Sequence, residues 1–167
     1  MNKTVYLILL FVFLLFLQIF VLNNINFLGY INPFLYIAFV FYFPLKENKF
    51  PILFFSFLLG LIIDFFSDSG GIHALSIITI AYLRLFFVRV FFKKLPSDYS
   101  FFNLQTEAFG KVFNYIVTLT IIHHFILFAF INFSFQNFTS VLTNTLFSSV
   151  FTLVLFFLAN YIFTKEQ

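Results

Sequence analysis

The chain has 167 residues, of which 62% are hydrophobic and only 9% are charged. A soluble domain carries roughly 25% charged residues, so this chain cannot cover a water-facing surface. The net charge of +3 does not indicate nucleic acid, because the cations stand at the ends of apolar runs rather than along a polar face. Apolar residues recur from Val5 to Phe163, which excludes a soluble domain on a single anchor. There is no cysteine, hence no disulfide, thiolate metal site or cysteine nucleophile.

A spanning helix needs about 20 apolar residues. The first candidate is 5–22; Lys3 and the run behind it resemble a signal peptide, but no small-x-small cleavage site follows, so an uncleaved helix is expected. The second, 31–45, is short, with Pro33 in its first turn and Pro44 near its end. Pro51 opens a third over 51–66, since proline favours the first helical position. The turn Ser67-Asp68-Ser69-Gly70-Gly71 leads to a fourth over 72–92, ended by Lys93-Lys94. A loop from Pro96 to Gly110 precedes a fifth helix over 112–133 and a sixth over 139–163. The expected architecture is a single all-α membrane domain of about six transmembrane helices.

With the N-terminus inside, Lys3, Lys46, Lys49, Lys93, Lys94, Lys111 and Lys165 face the cytoplasm, and Arg89 lies on the same side. The connections left outside, 23–30, 67–71 and 132–137, hold no Lys or Arg. This bias predicts that both termini are cytoplasmic.

Ionisable residues within spanning helices are expensive and face other helices or a polar cavity. Ser56, Gly60 and Asp64 fall at i, i+4 and i+8, lining one face with small residues that let a neighbour approach. His73 and Arg84 are eleven residues apart and share a face of the fourth helix. The short turn lets Asp64 meet His73, and coupling between the two side chains is expected. Arg84 lies about 16 Å deeper, where no helix supplies a carboxylate, so its guanidinium is expected either to snorkel inward or to contact carbonyls and polar side chains of adjacent helices. Thr120, His123 and His124 share one side of the fifth helix without the ligands a metal site wants. Asn144, Ser148 and Thr152 form a polar stripe on the sixth. There is no triad motif around a nucleophile and no phosphate-cradling glycine loop, so neither an enzyme nor a cofactor is expected.

The run from Gly60 through Leu61, Asp64, Gly71, His73 and Ala74, continuing to Ala81, Tyr82 and Arg84, resembles the rod shape-determining protein MreD family. Its members carry Gly-Leu-x-x-Asp, a short Ser/Gly-rich turn, then Gly-x-His-Ala. The motif covers about 25 residues of the chain; elsewhere the likeness is in hydropathy alone. The resemblance implies a non-enzymatic component of the bacterial elongation machinery, in the cytoplasmic membrane, with Gly60, Asp64, Gly71, His73 and Arg84 as its motif residues. It also implies a fold similar to the substrate-binding subunits of energy-coupling-factor vitamin transporters. The implied partner is single-span MreC, acting on a glycosyltransferase and transpeptidase pair while MreB filaments organise the complex on the cytoplasmic face. For such a partner at lipid level, the candidate surface is the Asn144-Ser148-Thr152 stripe, with the Ser56-Gly60 face packed inside.

Two other functions compete. A vitamin-transport subunit would dock its partner through small residues on the first helix, whereas 5–22 contains no Ala or Gly. A lipid-modifying enzyme would have to work through Asp64 and His73 alone.

Overall fold

The computed structural model describes residues 3–27, 29, 31–132 and 138–164. Lys165 and the outer part of the expected connection at 133–137 lie outside the described residues, as do 28 and 30. Among the described residues the chain is all-helical, with α1 (Lys3–Phe20), α2 (Ala38–Tyr42), α3 (Phe50–Ser67), α4 (Ile72–Phe92), α5 (Phe109–Ile131) and α6 (Phe138–Thr164). All but α2 are long and apolar enough to cross a membrane. At 1.5 Å per residue, 18 to 27 residues reach roughly 27–40 Å, against a hydrocarbon core of about 30 Å.

The exception is the second segment. The helix expected over 31–45 is not continuous: a 3₁₀ turn, Leu35–Ile37, runs into the five residues of α2, and the flanks are extended or irregular. Pro33 and Pro44 withhold two backbone N–H groups and block helix on either side. The segment nevertheless runs the length of the bundle. Asn23, just past the end of α1, donates to the Ser67 hydroxyl at the end of α3 (2.9 Å), so α1 and α3 point the same way. The chain between them must therefore come back, and it does so through the middle. Gln18 meets Pro33, the Phe11 ring packs on Phe39 (5.5 Å), and Leu7 lies beside Phe43. Against α6, Asn32 pairs with Ser148 and Tyr42 with Asn160. Ten residues thus advance as far as twelve helical ones, about 18 Å.

The segment is surrounded on every side. Tyr36, Ile37, Phe39, Val40 and Phe41 are at most 2% exposed. A stretch that is apolar all round and covered all round is a core element, not a wall. Edge-to-face rings fix it, with Phe41 against Tyr115 and Phe156 and Phe39 against Phe43. By contrast α1 is the least covered of the long helices and turns Ile8, Leu9, Val12, Phe13 and Phe16 outward.

The α3–α4 hairpin is tight. Asp68, Gly70 and Gly71 all take positive φ (51°, 66° and 96°), and glycine supplies two of the three at little cost. A Cβ added to Gly60 would lie 2.5 Å from the Ala74 Cα, so α3 and α4 touch backbone to backbone there. The small-residue face of Ser56, Gly60 and Asp64 is internal, as expected.

Basic residues gather at one end of the bundle: Lys46 and Lys49 before α3, Arg89, Lys93 and Lys94 at the end of α4, and Lys111 at the start of α5. The loop before α5 folds back over this end, with Phe102 on Phe92 (5.1 Å), Arg89 donating to the Tyr99 hydroxyl, and Lys94 paired with Glu107 at 3.0 Å.

Because the chain has no cysteine, the parallel arrangement is directly testable. Asn23→Cys with Ser67→Cys should cross-link efficiently with a short bismaleimide, while Thr4→Cys with Ser67→Cys should not. The reverse pattern would mean that α1 and α3 are antiparallel and that 31–45 does not return through the bundle.

Candidate functional site

A non-helical backbone in an apolar interior leaves N–H and C=O groups that neither water nor a helix can satisfy. The buried polar side chains of the neighbouring helices converge on these groups. At the end opposite the lysines, the Asn32 N–H donates to the Ser148 hydroxyl (3.3 Å) and the Phe34 N–H to the Thr152 hydroxyl (3.0 Å). Gln18 Nε2 donates to the Pro33 carbonyl (3.1 Å). Toward the basic end, Arg84 donates to the carbonyls of Phe41 and Phe43, both beyond reach of a further helical turn.

Between these ends lies a chain of rings. The Tyr36 hydroxyl bridges His73 Nδ1 (3.0 Å) and His123 Nε2 (2.7 Å). One O–H can serve only one of them, so the other nitrogen must carry the proton. The remaining nitrogen of His123, Nδ1, is buried without a partner. An orphaned acceptor is tolerated better than an orphaned donor, which assigns the order His123 Nε2–H to Tyr36 O–H to His73 Nδ1. His124 Nδ1 faces the Thr120 carbonyl (2.8 Å), an obligate acceptor, so that nitrogen carries the hydrogen. In the neutral ring Nε2 is then an acceptor facing the Thr152 hydroxyl (3.0 Å), whose oxygen receives the Phe34 N–H and whose single hydrogen is shared with the Ser148 carbonyl (2.8 Å). The Phe34 ring packs among all three histidines, with centroids 5.4–6.3 Å away. Among the described residues no three such side chains converge on a point that would hold a metal ion.

Asp64 has a different task from the one expected. Its carboxylate accepts from the backbone N–H groups of His73 (2.9 Å) and Ala74 (2.8 Å) and from the Ser69 hydroxyl. These are orphan donors at the start of α4, where Gly71 offers no side chain to cap them. An aspartate on the preceding helix therefore caps the next, and its charge sits at the positive end of the α4 dipole. The His73 imidazole turns away to Tyr36, which corrects the side-chain pairing of Asp64 with His73. It follows that a double-mutant cycle of Asp64→Asn and His73→Ala, read by unfolding in detergent, should be additive within about 0.5 kcal/mol. A coupling above about 1 kcal/mol would restore the direct pair.

The stripe on α6 also needs correction. Ser148 and Thr152 are 0% and 1% exposed and spend their hydroxyls on the second segment, while Asn144 is half-buried. Helix α6 is apolar on nearly all sides, so its sequence pattern did not reveal which face looks inward. The polar face is the inner one at Ser148 and Thr152, and neither hydroxyl is available at lipid level. Gly71 serves the hairpin by its positive φ, and Arg84 takes backbone carbonyls, the second of the two alternatives its sequence position left open.

Gln18, Tyr36, His123 and His124 complete the constellation beyond the motif residues. Gln18 carried a signal, as the one amide within the first apolar run, and so did the unexplained histidine pair. Tyr36 carried none, being one aromatic residue among many. Chemically, the assembly is a set of hydrogen bonds, several of which satisfy backbone groups of the second segment.

Comparison with protein-family models, with curated proteins and with solved structures finds no match.

Proposed function

We propose that the chain is a non-enzymatic membrane scaffold of the MreD kind, pairing with MreC in the bacterial elongation machinery to control cell shape and side-wall peptidoglycan synthesis. The observation that carries this reading is the motif itself, Gly60-x-x-x-Asp64 followed by Gly71-x-His73-Ala74 and Arg84. Its residues have architectural uses: Gly60 allows the α3–α4 contact, Asp64 caps α4, Gly71 forms the turn, His73 joins the ring chain and Arg84 anchors the second segment. A protein that must present a fixed outer surface to a partner's span gains from such internal bracing. The positive-inside rule then puts the basic end, and both termini, in the cytoplasm, where MreB filaments would lie. MreC in turn would link the protein to the glycosyltransferase and transpeptidase.

The transporter reading is less well supported, because the bundle centre is filled by the chain's own Tyr36, Phe39 and Phe41, and α1 lacks small docking residues. A clean deletion separates the two. The scaffold reading expects rod-shaped cells to become round, with vitamin uptake unchanged, and the tagged protein to co-purify with MreC. Normal cell shape with a new vitamin requirement would move the assignment to an uptake subunit.

A further inference from the structure

At the basic end, Arg84 is a buried cation without a countercharge. Its side chain is 3% exposed, and its Nη2 is committed to the carbonyls of Phe41 and Phe43, while Nε has no hydrogen-bond partner. The Tyr115 hydroxyl stands close to the guanidinium. A desolvated cation of this kind attracts an anion strongly, because little water competes for it.

Arg84 lies at the base of a cleft of about 80 Å³ that also takes in Lys46, Asn48 and Lys49, and none of its lining residues is acidic. A water-sized group takes roughly 10–15 Å³ on this scale, so the cleft holds something the size of a phosphate. Three cations and an amide around such a volume are the chemistry of a phosphate site, with the Lys49 ammonium resting over the Tyr82 ring at 4.4 Å and having to swing from it to reach an anion. Leu7 and Phe43 form one wall, and the same two residues begin a second depression of about 310 Å³. This one runs between α1 and α3 along Thr4, Ile8, Phe11, Phe55 and Leu58. It has almost no polar lining, and it opens at lipid level beside the outward face of α1.

We propose that this pair of depressions binds one anionic phospholipid, its headgroup phosphate on Lys46, Lys49 and Arg84 and an acyl chain in the α1–α3 groove. The charge order fits: cations and no acidic residue line the cleft where a headgroup would lie, with Glu47 of the same turn outside the lining, and hydrocarbon lines the groove where a tail would lie, joined at Leu7 and Phe43. Neither half alone selects a lipid. Together they match an amphipathic anion and disfavour a soluble one, which would leave the groove unused.

The test uses the full chain, delipidated in detergent and titrated with phosphatidylglycerol, phosphatidylcholine or inorganic phosphate, with bound lipid counted by native mass spectrometry. Phosphatidylglycerol should be retained preferentially, and inorganic phosphate should compete only weakly. Lys46→Gln with Lys49→Gln should lower retention of phosphatidylglycerol by about thirtyfold, roughly fivefold per lysine, and leave phosphatidylcholine unchanged. Filling the groove with Leu58→Trp should lower retention of both lipids, and the thermal midpoint in phosphatidylcholine shows that each variant is folded. Equal retention of the two lipids overturns the proposal. So does an inorganic phosphate effect that matches the lipid and survives Leu58→Trp, which would mark a soluble-anion site instead.

Discussion

Replacing Arg84 with leucine is expected to destabilise the folded protein by about 2–4 kcal/mol and to lower its abundance in the membrane sharply. Two opposing magnitudes decide this. Hydrogen bonds within membrane proteins average only about 0.6 kcal/mol, because the unfolded chain in the bilayer also finds partners. The carbonyls of Phe41 and Phe43, however, lie where α2 has ended, and leucine offers them nothing. A buried carbonyl left without a donor bears its full desolvation cost, about 1–3 kcal/mol each, and this outweighs the relief of removing a buried charge. Arg84→Lys should fall between, since an ammonium carries donors enough for both carbonyls but lies on a shorter stem without the planar geometry that aims Nη2 at the two. Reversible unfolding in detergent, followed by chymotryptic protection of the Phe- and Tyr-rich segment 31–45, measures both variants. Wild-type stability in Arg84→Leu would mean that the guanidinium is not holding the segment.

Gly60→Ala should be comparably damaging, and its sign is informative. Within a helix, alanine is favoured over glycine by about 1 kcal/mol, so at a loose contact the change would stabilise. Here the new methyl carbon would meet the Ala74 Cα at 2.5 Å, its nitrogen at 2.7 Å and the His73 carbonyl carbon at 2.9 Å. All three are backbone atoms that no rotamer change can move. The helices must separate, and overpacking of this kind costs about 1–3 kcal/mol. Separation also lengthens the bonds from the His73 and Ala74 N–H groups to Asp64 one turn along, so the loss should reach the top of that range. Ala74→Gly should fail to rescue it, because removing the Ala74 methyl leaves the clashing backbone in place. A stabilised Gly60→Ala, or a full rescue by Ala74→Gly, would show that the contact is between side chains.

The spanning helices were legible because length and apolarity alone define them, and the fourth was placed at 72–92, where α4 stands. The small-residue face of α3 was legible for a related reason: Ser56, Gly60 and Asp64 have no other use on a lipid-facing side. What could not be read was how 31–45 crosses. Short apolar runs look alike whether helical or not, and the prolines at both ends mark helix termini as readily as a broken crossing. The clue lay elsewhere, in polar residues on other helices with no partners among themselves. Arg84 lacked a carboxylate, and His123 and His124 lacked fellow ligands. Such surplus indicates backbone in need of hydrogen bonds, but the inference requires three-dimensional neighbours. Asp64 teaches the same lesson at atomic scale, since proximity to His73 was correct while the bonded atom was the amide, not the ring.

The central claim is that buried side chains substitute for the helical hydrogen bonds that residues 31–45 do not make. Backbone hydrogen exchange in a bilayer mimic, comparing the wild type with Thr152→Val, tests it most directly. Valine keeps the shape of threonine and removes the hydroxyl, whose oxygen receives the Phe34 N–H and which also faces His124 Nε2. The wild-type amides of Asn32 and Phe34 should exchange as slowly as those in the middle of α4. In Thr152→Val, exchange at Phe34 should rise by about tenfold or more, a local opening of at least roughly 1.4 kcal/mol, while α3 and α4 remain protected. Fast exchange at Phe34 already in the wild type, or no change on substitution, would contradict the account.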